Sequence, residues 1–94
     1  MLARLVRFSF EEGRRTDAQA LADEIAPLIA SQPGCEGVTV FGDDSDGQYG
    51  IFVLWDTQAH ADAASVVVRP RLEAHFSGKV TSAPELRLFE VISA

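Results

Sequence analysis

A single cysteine, Cys35, in a chain of 94 residues has no counterpart to pair with, which excludes an internal disulfide and a cysteine-built zinc site. No cation or helix N-terminus adjoins it in sequence, so it reads as a small buried residue at the start of a strand. Long apolar runs are missing too. Met1 leads into Leu-Ala-Arg-Leu-Val-Arg-Phe, where arginines interrupt the apolar residues. Neither a signal-peptide core nor a span of about 20 apolar residues is expected, and the expected location is cytoplasmic. Positive charge is in deficit, with eight basic side chains against fourteen acidic ones and a net charge of −6. Such a field repels phosphate backbones and anionic membranes, so nucleic acid and membrane are not expected as partners. What remains is an ordinary folded composition, 47% hydrophobic and 23% charged, without repeats, which predicts one domain over residues 1–94. A domain this short buries only about 60–65% of its unfolded surface, and a partner subunit would add to that.

The most informative stretch is Gln48-Tyr49-Gly50-Ile51-Phe52-Val53-Leu54-Trp55. Its β-branched and aromatic residues, placed between the Asp-rich segment 43–47 and the helix-starting pair Asp56-Thr57, predict a strand between a hairpin turn and a helix. Tyr49, Ile51, Val53 and Trp55 share one side of a period-2 ribbon, and Gly50, Phe52 and Leu54 the other. Neither side is polar enough to face bulk water, so both need a cover.

Residues 2–10 alternate loosely as a first strand, with Leu2, Val6, Phe8 and Phe10 on one face. Thr16 and Gln19 have the spacing of a capping box, and Ala18, Leu21, Ala22, Ile25, Leu28 and Ile29 then mark the apolar stripe of a helix. Pro27 lies on its polar side, which predicts a bend and no break. After Gln32-Pro33-Gly34, a second strand is expected over 35–41. Three Asp within 43–47 lack the further oxygen ligands and closing Glu of a calcium loop, so this segment reads as a solvated turn. In the second helix Ala59, Ala63, Val66 and Val67 are expected to share the inward face, with His60 at its edge. Pro70 is expected to open a separate helical piece reaching about Ser77, with Leu72, His75 and Phe76 on one side and Gly78 as its stop. Residues 85–92 form the last strand.

The order β-α-β-β-α-β is the split βαβ arrangement of the ferredoxin-like α+β class, a four-stranded antiparallel sheet with both helices on one face. Several strands are apolar on both sides and no chain remains to cover the helix-free face. A homodimer in which two sheets face each other is therefore expected.

The residues carrying a family resemblance are Ala3-Arg4-Leu5-Val6-Arg7-Phe8, Leu21 to Ile29 with Gln32-Pro33-Gly34-Cys35-Glu36-Gly37, Phe52-Val53-Leu54-Trp55-Asp56-Thr57, and Pro84-Glu85-Leu86-Arg87-Leu88-Phe89-Glu90-Val91. With these the chain resembles the dimeric α/β-barrel proteins of the antibiotic-biosynthesis-monooxygenase type, which include quinol and anthrone oxygenases and haem-degrading enzymes. The resemblance implies a cofactor-independent monooxygenase that oxidises a quinol- or anthrone-like aromatic molecule without metal or flavin, the protein supplying a dry pocket and a base. On that implication His75 and His60 are the catalytic candidates, with Trp55, Phe76, Arg7 and Tyr49 as substrate contacts. The chain departs from the haem-degrading branch: it contains no Asn, and Ser65 stands ten residues before His75 where that branch carries Trp. The alternative is a non-enzymatic dimeric small-molecule-binding or stress-associated module of the same fold. Small side chains at Ala59, Ala63 and Ala64 leave two packings open, a helix close on the sheet or a cavity beneath it. Arg4, Arg7, Arg69, Arg71 and Arg87 are possible cations for an anionic ligand.

Overall fold

A computed structural model describes residues Met1–Ala94. The elements are β1 (Leu2–Ser9), α1 (Arg15–Ala30), β2 (Cys35–Asp43), β3 (Gln48–Trp55), α2 (Gln58–Phe76) and β4 (Glu85–Glu90). The four strands form one antiparallel sheet in the order β2-β3-β1-β4, so the α+β ferredoxin-like arrangement is the one observed. No helix is long and apolar enough to cross a membrane.

Register explains the core. Val6 pairs with Ile51, Phe8 with Tyr49, and Arg4 with Val53, which puts their side chains on the helix-covered face. Against Val6, Ile51, Val53 and Trp55 pack Leu21, Ile25 and Ile29 of α1, all buried. Each such aliphatic side chain contributes about 1.5–3 kcal/mol of burial energy. At the far end Phe8 sits 4.8 Å from Phe76 and 5.2 Å from Phe10 between ring centroids, closing the core with aromatic contacts.

Three local expectations are corrected. Helix α1 starts at Arg15 with Arg14 as its N-cap and no side-chain cap, so Thr16 lies inside the helix, and Gln19 donates to Asp23 instead of closing a capping box. Helix α2 is continuous through Pro70, without the break expected there. Its buried face is Ala61, Ala64, Val68, Leu72 and Phe76, whereas Ala59 and Ala63 are exposed and Val66 is 75% exposed. By contrast, the Thr57 side chain accepts from the His60 N–H as the N-cap of α2, and Pro27 sits inside an unbroken α1.

The other face of the sheet carries no helix. It presents Leu5 opposite Phe52, Ala3 between Leu54 and Phe89, and Phe41 opposite Gly50. Phe41, Phe52 and Phe89 are 48%, 39% and 38% exposed. A Cβ at Gly50 would run into the Phe41 ring, so the glycine is what lets that ring lie flat on the sheet. Arg87 stands over Phe89 at 4.7 Å from the ring centroid, so the same face also holds a cation against an aromatic.

Candidate functional site

Small residues on α2 decide where space is left. Ala61 and Ala64 face the sheet at the N-terminal half of the helix, where longer side chains would normally fill the gap, and a cavity of about 90 Å³ lies beneath them. That is several times the roughly 10–15 Å³ that admits one water, so the space suits a ring-sized group. Of the thirteen lining residues ten are hydrophobic, among them Val6, Ile51, Val53 and Trp55 from the sheet. The polar remainder is Arg4, Ser65 and Arg69. Of the two packings left open by the alanines, the structure takes the one with a cavity.

The cavity meets a wider, more open cleft of about 370 Å³, with which it shares Arg69, Leu72 and Leu86. This cleft runs between the C-terminal half of α2 and the segment from Val80 to Leu86. Arg4 is half-buried on the central part of the sheet, its register neighbours being Val53 and Leu88. Neither Arg4 nor Arg69 takes part in any of the seven ion pairs of the chain. Two guanidinium groups without carboxylate partners thus border an otherwise apolar space.

The candidates named from sequence are scattered around this site. Trp55 is buried and forms part of the cavity wall. Phe76 borders the open cleft while its ring packs on Phe8. Tyr49 lies at a different depression, between α1 and β2, and its hydroxyl donates to Asp44 Oδ1 at 2.8 Å. Burial first, and then that hydrogen bond, push the phenol's pKa up. Arg7 is exposed and sits on the helix-free face, opposite Gly50 and Glu85, away from the cavity.

The two histidines are not brought together, and neither lines the cavity. Fifteen residues of one helix separate them, a rise of about 22 Å. His60 Nδ1 lies 2.7 Å from Asp56 Oδ1, and this contact holds the Asp56 carboxyl below the usual carboxylate range. Gly34, at φ +83°, packs under that pair, where a Cβ would collide with both side chains. His75 is partly buried, its Nε2 2.6 Å from Glu24 Oε1, while Arg71 Nε donates to Glu24 Oε2 at 2.6 Å. This cluster ties α1 to α2. Its role is legible as a clamp, because the His75 hydrogen bond first, and the Arg71 one next, lower the Glu24 pKa.

A depressed folded-state pKa means that the carboxylate stabilises the fold above its unfolded pKa, with the effect lost as pH falls through the depressed value. Accordingly, Glu24→Gln is expected to melt below the parent protein at pH 7, with the gap closing as both are taken to pH 3. Calorimetric melts at the two pH values check this, and a gap independent of pH would count against the clamp.

In the Asp-rich turn, Asp43 Oδ1 accepts from the Ser45 N–H and hydroxyl, and Asp46 Oδ1 accepts from the Gln48 N–H. The carboxylates thus shape the turn. No group of three or more His, Cys, Asp or Glu side chains is arranged to hold a metal ion.

Sequence reasoning set Arg4 among five possible cations for an anionic ligand and chose Arg7, not Arg4, as the substrate contact. The signal was available in parity, since Arg4 shares the face of Leu2, Val6 and Phe8 on β1. A charge at an inward position of a central strand is the departure worth explaining.

Comparison with known proteins bears on this architecture directly. Residues 1–65 match the family model of antibiotic biosynthesis monooxygenases. No functionally curated protein matches the chain in sequence. Among solved structures, Rv0793 from Mycobacterium tuberculosis superposes with a TM-score of 0.85 at 15% identity, covering 99% of this chain and 96% of its own. The NE2512 protein of unknown function from Nitrosomonas europaea gives 0.78 at 22% identity, with coverages of 99% and 90%. SnoaB, a cofactor-independent oxygenase from Streptomyces nogalater, gives 0.76 at 18% identity, with coverages of 99% and 94%. At these identities the structural likeness speaks for the fold, while the family match spans more than two thirds of the sequence. The chain belongs to the antibiotic biosynthesis monooxygenase family.

Proposed function

We propose that this protein is a cofactor-independent monooxygenase acting on a small quinol- or anthrone-like aromatic molecule bound in the cavity under α2. The observation that carries the reading is the mostly apolar, partly open space walled by Trp55 and Val53 and left unfilled by Ala61 and Ala64. Family membership and the likeness to SnoaB, a cofactor-independent oxygenase, support it.

The chemistry suits such a space. An electron-rich aromatic that loses a proton can itself pass an electron to dioxygen. In an anthrone the ring CH2 then becomes C=O with water as the second product. In a quinol a ring C–H becomes C–OH, the second oxygen atom leaving as water at the expense of two electrons from the quinol, which ends as the hydroxyquinone. Apolar walls keep bulk water from quenching the intermediates, and fixed cations stabilise the developing oxyanion. The geometry gives no support to His75 or His60 as a base inside the cavity, because each faces a carboxylate outside its lining.

Oxygen-electrode measurements over a panel of quinols and anthrones test the proposal. The expected result is consumption of one dioxygen per substrate oxygenated, an anthrone giving the anthraquinone and a quinol the hydroxyquinone, above the uncatalysed rate. A His60→Ala/His75→Ala double variant is expected to keep most of that rate. Absence of consumption above background for the whole panel would overturn the enzymatic reading.

One observation favours a second reading, that of a binding module without turnover: no carboxylate, imidazole or amine that could act as a base lines the cavity. Under this reading aromatic ligands bind and no oxygen is consumed.

The helix-free face bears on the assembly. We propose a homodimer in which the faces carrying Phe41, Phe52 and Phe89 are covered by a second copy of the chain.

A further inference from the structure

We propose that the cavity selects ligands carrying a carboxylate, held between the guanidinium groups of Arg4 and Arg69, with the apolar ring in the part beneath Ala61 and Ala64. This inference rests on the cavity being the ligand site, and it specifies the ligand's charge.

The argument begins with an imbalance. Fourteen acidic side chains outnumber the basic ones, and the ion pairs engage Arg14, Arg15, Arg71, Lys79 and both histidines. Four of the seven arginines, Arg4, Arg7, Arg69 and Arg87, have no acidic partner, and Arg7 and Arg87 lie on the helix-free face away from the cavity. Both arginines of the cavity are of this kind, one projecting from β1 in the centre of the sheet and one from α2. Glu73 of α2 borders the adjoining cleft, and no carboxylate lines the cavity itself.

Half-burying a guanidinium among apolar side chains costs solvation that an ion pair would normally offset. At Arg4 no side chain of the protein provides that offset. The natural completion is an anion that arrives with the ligand. Two planar donor forks on separate elements match the two oxygens of a carboxylate, each able to take charge-assisted hydrogen bonds.

The lining also discriminates between anions. A phenol arrives at the cavity neutral near pH 7, with an ordinary pKa of about 10. A carboxylic acid is already ionised, with an ordinary pKa near 4. The arginines therefore meet a full charge from the first encounter. Arg69 also borders the open cleft, which places the charged end of the ligand toward the mouth and its ring toward Trp55.

The test uses benzoate and its neutral isostere benzamide as probes, followed by NMR on the full-length protein. Trp55 is the only tryptophan, so its indole N–H gives a single resonance that reports from the cavity wall. Benzoate is expected to shift that resonance with an affinity at least about ten-fold tighter than benzamide, and the preference is expected to weaken with added salt. Arg4→Met and Arg69→Met should each reduce the preference toward unity, while Arg14→Met, which removes the same charge far from the cavity, should leave it intact.

If both probes bind equally, the carboxylate clamp is overturned and the cavity stands as a ligand site. If neither moves the indole resonance, the clamp and the cavity reading fall together. The benzoate-to-benzamide comparison and its salt dependence require no variant, so a poorly folding arginine substitution does not remove the test.

Discussion

Phe52→Asp is expected to convert the proposed dimer of the 10.2 kDa chain into a monomer at micromolar concentration, with its secondary structure intact. Phe52 stands on the helix-free face, opposite Leu5 on β1 and Thr39 on β2, in the middle of the exposed apolar patch. A two-fold interface uses this side chain twice. Removing a central aromatic commonly costs 2 kcal/mol or more, and the aspartate would add an unpaired charge to the contact. Two such losses come to about 4 kcal/mol, or roughly a thousand-fold in dissociation constant. The fold itself should survive, since the core is on the opposite face, formed by Val6, Ile51 and Val53 against α1. Sedimentation velocity with far-UV circular dichroism measures both halves of the expectation. A parent protein that sediments as a monomer would remove the dimer outright.

The second large effect concerns the cavity. Ala64→Leu places three further carbons at a buried position of α2 that lines the space. Filling an existing void commonly adds about 0.5–2 kcal/mol of stability, where the same change in a closed core would cost about 1–3 kcal/mol. For a domain of this size each kcal/mol moves the melting temperature by about 4–8 °C. The variant is expected to melt at or above the parent temperature while oxygen consumption with a quinol or anthrone substrate drops to background. Opposite signs for stability and activity separate occlusion from damage. Undiminished turnover in the filled variant would place the chemistry elsewhere.

The unequal legibility of the chain has a physical basis. Strand β3 and helix α1 were plain because their patterns have contrast: β-branched and aromatic residues at period two in one, leucine and isoleucine set against Asp and Glu in the other. Helix α2 lacks that contrast. Alanines fill much of residues 59–64, and Val66, Val67 and Val68 run consecutively, so several phases fit nearly as well. Anchoring on Leu72 and Phe76 and stepping back by four gives Val68 and then Ala64, the face that is buried. Pro70 misled for a related reason. Its ring is on the exposed side of α2, and the helix tolerates the absent N–H there. The cavity was half legible, since small residues on α2 could be seen but not which of them faced inward. The fate of His75 was not legible at all, because Glu24 is 51 residues away and only the packing of α1 on α2 brings them together.

The sheet's two borders bear on how copies can meet. Strand β2 lies at one border, with an irregularity between Cys35 and Gly37 and acidic residues Glu36 and Asp43. The six-residue β4 lies at the other, with Glu85, Arg87 and Glu90. Short length, charge and a kinked register each discourage a neighbouring ribbon from zipping on. Lateral growth into a filament is disfavoured on both flanks, and the greasy plane between them is the surface on which the proposed pairing of two copies rests.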